Sequence, residues 1–195
     1  MAIFLLRHGE TDANATRVVQ LPGVALSARG REQAASVARR LALEGVARIR
    51  TSDLARARET AAAIHAATGA PIDVDPALAE RNYGAIRGRP YAELGTDIFA
   101  PDYEPPGGET WAAFHARVDR AWAHLLTLAT ATPGHVAAVT HGLVLDAVLR
   151  RHLGGGDPRP VGWANTSVTV VEPPGTLCLV GCTAHLADAG GGPLV

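Results

Sequence analysis

The chain has 195 residues and a mass of 20.2 kDa, which predicts a single domain over 1–195 that buries its apolar surface without disulfide or metal staples. A net charge of -1 speaks against a nucleic-acid partner, and no apolar run approaches a membrane span, so no membrane partner is expected either. All 18 basic residues are arginine, so any anion site must be built from arginine, histidine and backbone donors.

Met1 leads straight into an apolar run with no basic n-region, and a cytoplasmic protein is expected. Ala2 to Leu6 is too short for a buried helix and lacks polar alternation, which predicts a strand buried on both faces. It ends in Arg7-His8-Gly9: a fixed fork of donors, an imidazole, and a glycine that lets backbone approach a ligand. Such strand ends point into the ligand crevice of open α/β sheets. Val18 to Ala25 has no period and reads as a surface loop. Ser27 should cap a helix whose apolar face is Ala34, Val37, Ala38 and Leu41, with Gly45 closing it. Val46 to Arg50 reads as a second strand. Thr51 to Thr60 then turns into an alanine-rich helix running to about Gly69.

Pro71 to Val74 is a third candidate strand, and Leu78 to Gly84 a polar loop. Beyond Thr110, the residues Trp111, Phe114, Val118, Trp122 and Leu125 keep helical spacing and read as core. His135 to Thr140 repeats the opening, a buried strand with His141-Gly142 at its tip and a helix from Leu143 to Leu153 behind it. A histidine there lies beside unsatisfied helix N–H groups, an environment that favours anions. Gly154 to Pro158 breaks the chain into loop, Ser167–Val171 and Leu177–Val180 read as a closing hairpin, and 189–195 as a frayed tail. Cys178 and Cys182 have no partner pair and read as free thiols. Strands alternating with helices predict an α/β fold with a mostly parallel sheet covered on both faces.

Two strand-tip histidines and at least two arginines can surround one phosphoryl group, one imidazole attacking while the guanidinium forks hold the oxygens. Hydrolysis also needs an acid for the leaving alkoxide and later a base for water, a role suited to a partly desolvated carboxylate such as Glu80. No P-loop, Gly-x-Ser-x-Gly elbow or cysteine phosphatase loop competes with this reading.

Five motifs in order, Arg7-His8-Gly9-Glu10-Thr11 with Asn14, Ser52-Asp53-Leu54-x-Arg56-Ala57, Glu80, Gly107-Gly108-Glu109-Thr110 and Thr140-His141-Gly142, resemble the histidine phosphatase (phosphoglycerate-mutase-like) superfamily. The ending, Asn165 to Glu172 and Thr183 to Leu186, resembles its small bacterial broad-specificity phosphatases. The resemblance implies a three-layer α/β/α sandwich with a mixed, mainly parallel central sheet. It implies His8 as the nucleophile that becomes phosphohistidine, Arg7 and Arg56 as phosphate clamps, His141 completing the pocket and Glu80 as proton donor. Asn14 and the Gly142 backbone add phosphate donors. Arg56 is chosen over Arg58 because the family arginine precedes Ala-x-x-Thr-Ala.

No metal site and no cofactor are implied, and the expected partner is a small phosphorylated substrate; a homodimer is left open. Glu80-Arg81-x-Tyr83-Gly84 also resembles the signature of the family's cofactor-dependent phosphoglycerate mutases, where the arginine helps hold a substrate carboxylate. Arg81 and Arg87 are therefore either solvated loop charges or substrate contacts, and His185 either a fold-internal hydrogen-bonding residue or a site residue. The expected activity is phosphomonoester hydrolysis. The alternatives are a mutase and a non-catalytic phospho-ligand or protein-interaction module.

Overall fold

The computed structural model describes residues 1–154 and 162–187. Six strands form one sheet in the order β3-β2-β4-β1-β5-β6. They are β1 (Ile3–Arg7), β2 (Val46–Thr51), β3 (Ile72–Val74), β4 (His135–Thr140), β5 (Val168–Glu172) and β6 (Thr176–Cys182). The first four pair in parallel, while β5 runs antiparallel to β1 and returns as a hairpin with β6, so the sheet is mixed and mainly parallel. The helices are α1 (Asp12–Ala15), α2 (Ala28–Leu41), α3 (Ala55–Thr68), α4 (Trp111–Ala131), α5 (Gly142–His152) and α6 (Ala184–Ala187).

Alternate side chains of a strand point to opposite faces, and here both faces are covered. Ile3 and Leu5 of β1, with Val136 and Ala138 of β4, pack against α4 and α5. Phe4 and Leu6, with Ala137 and Val139, pack against α2 and α3 on the other side. This gives the three α/β/α layers, and it is why β1 carries no polar alternation. Each such large side chain stabilises the fold by about 1.5–3 kcal/mol on burial.

The pairing register sets where chemistry can gather. Arg7 stands opposite Thr140, and Thr51 opposite Val139. The chain then leaves the sheet while still tied to it: His8 N donates to Thr140 O at 3.0 Å and Ser52 N to Val139 O at 3.0 Å. His8, Ser52 and His141 thus emerge side by side at the carboxyl ends of three adjacent parallel strands, where open α/β sheets bind ligands.

One expectation needs correction. The segment from Val18 to Ala25 is irregular, but it does not simply run over the surface: Val19 is 1% exposed and joins Tyr83, Ile86 and Ile98 in a third apolar cluster. Its anchors meet a loop far along the chain, so no local period betrays them. Trp111 is half-buried and packs against the cluster of Phe114, Val118, Trp122 and Leu125, as its helical spacing predicts, with its ring 5.8 Å from that of Phe114. The 155–158 part of the expected loop and the 189–195 tail lie outside the described residues.

The turn after His8 is held by a close backbone crossing. Ser27 Oγ caps α2 by accepting from Gly30 N at 3.0 Å, and Ser27 N donates to Glu10 O at 2.9 Å. A Cβ placed on Gly30 would overlap the Glu10 backbone, and one on Gly9 would lie 2.5 Å from Gly30 O. Gly30→Ala is therefore expected to destabilise the fold by about 1–3 kcal/mol, the usual range for overpacking, and to lower activity by displacing the turn that follows His8. A denaturation midpoint equal to wild type would contradict this account of the crossing.

Candidate active site

His8 lies at the bottom of the crevice and is 2% exposed. Its Nδ1 is 2.7 Å from Gly9 O. A carbonyl can only accept, so the ring proton is on Nδ1 and Nε2 carries the lone pair. Arg56 Nε donates to that Nε2 at 3.3 Å. Burial first, then the charges of Arg56 and Arg7, hold the imidazole well below its ordinary pKa, so it is neutral at physiological pH.

The turn carrying His8 is fastened from several sides. Gly9 N donates to Thr60 Oγ1 at 3.0 Å, Asn165 Nδ2 donates to His8 O at 2.9 Å, and Thr166 N donates to Arg7 O at 3.1 Å. Thr11 caps α1 with a reciprocal capping box to Asn14. Glu10 is occupied by Ser27 and Arg29, and so is a structural holder of the α2 end.

Arg7 and Arg56 both line the pocket with His8, Asn14 and Glu80. Arg7 Nη1 donates to Trp163 O, while its buried Nε has no partner among the described residues. Burial lowers both guanidinium pKa values, Arg56 to about 10, with Glu80 opposing the shift in each case. Both stay charged. The Asn14 amide oxygen accepts from Thr11 N at 3.2 Å and faces Asn165 Nδ2 at 3.4 Å, which leaves its NH2 group for the pocket.

His141 stands beside His8, with ring centroids 5.0 Å apart. Its Nε2 is 2.9 Å from Ser52 Oγ, and its Nδ1, fully buried, has no partner among the described residues. An unmet buried polar atom costs about 1–3 kcal/mol unless a ligand meets it. Two such atoms, Arg7 Nε and His141 Nδ1, belong to the residues expected to grip phosphate. Gly142 begins α5 next to Arg7, 4.0 Å from its Nε when a Cβ is added, and the first N–H groups of a helix have no partner within it and favour anions.

Glu80 Oε1 accepts from Arg81 N at 3.0 Å and Oε2 from Leu143 N at 3.3 Å. Burial pushes its carboxyl up, against the pull of those N–H groups and of Arg56 and Arg7. It lines the crevice as a desolvated acid across from a neutral imidazole.

Comparison with known proteins agrees with this geometry. The model of the histidine phosphatase superfamily (branch 1) matches residues 3–180. The chain belongs to the histidine phosphatase superfamily. It is similar to the probable phosphoglycerate mutase GpmB of Yersinia enterocolitica, 34% identical over 169 residues that make up 79% of this chain and 75% of that protein. It is also similar to the fructose-2,6-bisphosphatase TIGAR of Xenopus laevis, 38% identical over 122 residues, 56% of this chain and 44% of that one. Among solved structures, YhfR of Bacillus stearothermophilus aligns with a TM-score of 0.82 at 28% identity, covering 95% of this chain and 98% of its own. A mycobacterial glucosyl-3-phosphoglycerate phosphatase complexed with VO3 aligns with a TM-score of 0.76 at 28% identity, covering 88% and 90%. The chain is a phosphatase-type enzyme of this superfamily.

Within this histidine phosphatase, Arg81 is placed differently from the other arginines. It touches the pocket wall but is 2% exposed, and its guanidinium donates to the carbonyls of Glu109, Ile98 and Tyr103 at 3.0, 3.4 and 2.6 Å. It lies 3.8 Å above the Trp111 ring, and Trp111 Nε1 donates to Ala100 O. Arg81 and Trp111 together pin the 98–103 segment over the site. Arg117 secures the other side, pairing with Glu109 at 2.7 Å and donating to Ala77 O and Ala79 O just before Glu80.

The sequence marks the loop from Tyr83 to Pro106 as a place for substrate specificity but singles out neither Tyr91 nor Phe99 in it, nor Gln20 outside it, all of which line the histidine phosphatase pocket. They come from stretches without periodicity, and nothing in their spacing marks them. His185 is buried and bonds Thr166 Oγ1 at 3.1 Å, inside the fold and away from the pocket lining. Among the described residues no three His, Cys, Asp or Glu side chains cluster as a metal would require, and no helix is long and apolar enough to cross a membrane.

Proposed function

We propose that this chain hydrolyses small phosphomonoesters through a phosphohistidine on His8. The observation that carries the reading is the unprotonated Nε2 of a neutral imidazole, its tautomer held by Gly9 O and its lone pair facing a pocket of two guanidinium groups. In the first step Nε2 forms the P–N bond as the P–O bond to the leaving alcohol breaks, and the Glu80 carboxyl gives its proton to the departing oxygen. Arg7, Arg56, the Asn14 NH2, His141 Nδ1–H and the Gly142 N–H hold the phosphoryl oxygens. Ser52, which accepts from Leu54 N, donates its hydroxyl proton to His141 Nε2 and so leaves the ring proton on Nδ1. In the second step Glu80, now a carboxylate, takes a proton from water, the water oxygen attacks phosphorus, and the P–N bond breaks to release phosphate and neutral His8.

Hydrolysis is favoured over mutase chemistry by the covering segment between Gly88 and Pro106. A mutase must shield its phosphohistidine from water and retain a doubly phosphorylated intermediate, which calls for added cations. Here Arg89 is the only basic residue of that segment, set among Glu93, Asp97, Asp102 and Glu104, and its guanidinium donates to Glu93 O. The likeness to proteins named as mutases is therefore tested directly. With 3-phosphoglycerate and catalytic 2,3-bisphosphoglycerate, free phosphate should appear faster than 2-phosphoglycerate, in the presence of EDTA; isomerisation that outpaces phosphate release would overturn the choice.

A further inference from the structure

Arg87 follows the short 3-10 turn Gly84–Ile86, and its backbone is fixed by bonds from Arg87 N to Gly84 O and from Gly88 N to Val19 O. Its side chain is half-buried and lines the same pocket as His8, Arg7 and Arg56. Every other arginine around the site has at least one protein partner. Arg7 has Trp163 O, Arg56 has His8 and Leu21 O, Arg81 has its carbonyls and Arg117 has Glu109. No hydrogen bond or ion pair joins the Arg87 guanidinium to any described residue. Asp53 and Glu109 line the groove on its far side without pairing with it, and Glu109 is already bound by Arg117.

Charge matching then points to the missing partner. A phosphoryl dianion is met by Arg7 and Arg56, and Glu80, the one carboxyl lining the pocket, is the proton donor of the hydrolase reading and in that role carries no charge. One positive charge is left over, close enough to Arg56 to lower its pKa, and its planar fork is shaped for a carboxylate or a phosphate. A half-buried cation beside two like charges is unfavourable until an anion joins it.

We propose that Arg87 is a specificity-determining residue that selects phosphomonoesters carrying a second anionic group, a carboxylate or a further phosphate, on the leaving alcohol. This rests on the hydrolase reading above. The phosphoryl group would lie at His8 and the second anion at Arg87, on the wall of the same pocket.

The test compares kcat/KM for glycerol 3-phosphate, 3-phosphoglycerate and 1,3-propanediol bisphosphate in wild type, Arg87→Gln, Arg87→Lys and Arg87→Glu. The first substrate has no second anion, and the other two separate carboxylate from phosphate. Wild type should favour at least one anion-bearing ester over glycerol 3-phosphate by roughly 10- to 100-fold, the span of a charge-assisted hydrogen bond. Arg87→Gln should bring that ratio close to one, Arg87→Lys keep part of it, and Arg87→Glu reverse it. Because the ratio is taken within each variant, a loss of folded protein does not alter it. A ratio unmoved by Arg87→Gln, or no preference in wild type, would overturn this inference alone. Failure of wild type to hydrolyse any of the three or p-nitrophenyl phosphate would overturn the hydrolase reading and this inference with it.

Discussion

His8→Ala should lower turnover of a simple phosphomonoester by roughly four or more orders of magnitude, the scale on which removing the nucleophile of a cooperating site acts. The reason is local. His8 is the neutral imidazole whose lone pair faces the guanidinium pair, whereas Tyr91, also in the pocket, is pushed by burial and then by Glu80 further from ionisation. Residual activity should come from the arginine clamp acting on attack by water. The fold should persist, because the His8 ring makes only two hydrogen bonds, one to Gly9 O and one from Arg56 Nε, while the turn is held by backbone and by Asn165, Thr60 and Thr166. The check is steady-state phosphate release together with inorganic phosphate or vanadate binding. Turnover within tenfold of wild type would remove His8 from the mechanism.

Glu80→Gln should slow hydrolysis of alkyl phosphates by roughly two to four orders of magnitude, the range for a lost general acid. An ester with a good leaving group such as nitrophenolate needs little protonation and should lose much less. The pH profile gives an independent reading. The Glu80 carboxyl is raised above the ordinary carboxylate range by burial, and only its protonated form can donate. The kcat/KM for an alkyl ester should therefore fall as pH rises through that raised value. His8 is held well below its ordinary pKa, so it stays neutral and nucleophilic at physiological pH. In Glu80→Gln the basic limb due to Glu80 should vanish. Equal losses on both ester types with an unchanged profile would assign Glu80 a binding role only.

Much of the fold and the inner site could be read from sequence, because they obey local rules. A buried strand ending in Arg7-His8-Gly9 and another ending in His141-Gly142 can only place their tips together if β1 and β4 are parallel neighbours, and they are. Arg56 opens α3 directly behind β2, whose pairing with β4 brings it to the same edge. The outer site was not legible. Arg81 has the sequence context of a ligand-binding arginine, yet its guanidinium is held by carbonyls of Ile98, Tyr103 and Glu109, residues 17 to 28 positions away in loops with no period. Trp111 packs against the core as its helical spacing suggests, but that spacing says nothing of the bond by which its indole ties down Ala100. Val19, Tyr91 and Phe99 reach the pocket through loop-on-loop packing that no hydrophobic repeat encodes. Contacts of this kind depend on which loops the finished sheet brings together.

The claim on which the account turns is that phosphorus passes through a covalent bond to His8 Nε2. The most direct measurement is to quench wild-type enzyme in alkali during steady-state turnover of a phosphomonoester and locate the label by peptide mass spectrometry. The predicted result is an acid-labile, base-stable phosphoryl group on His8, absent from His8→Ala. An active enzyme with no phosphohistidine, or with the phosphoryl group on His141, would contradict it.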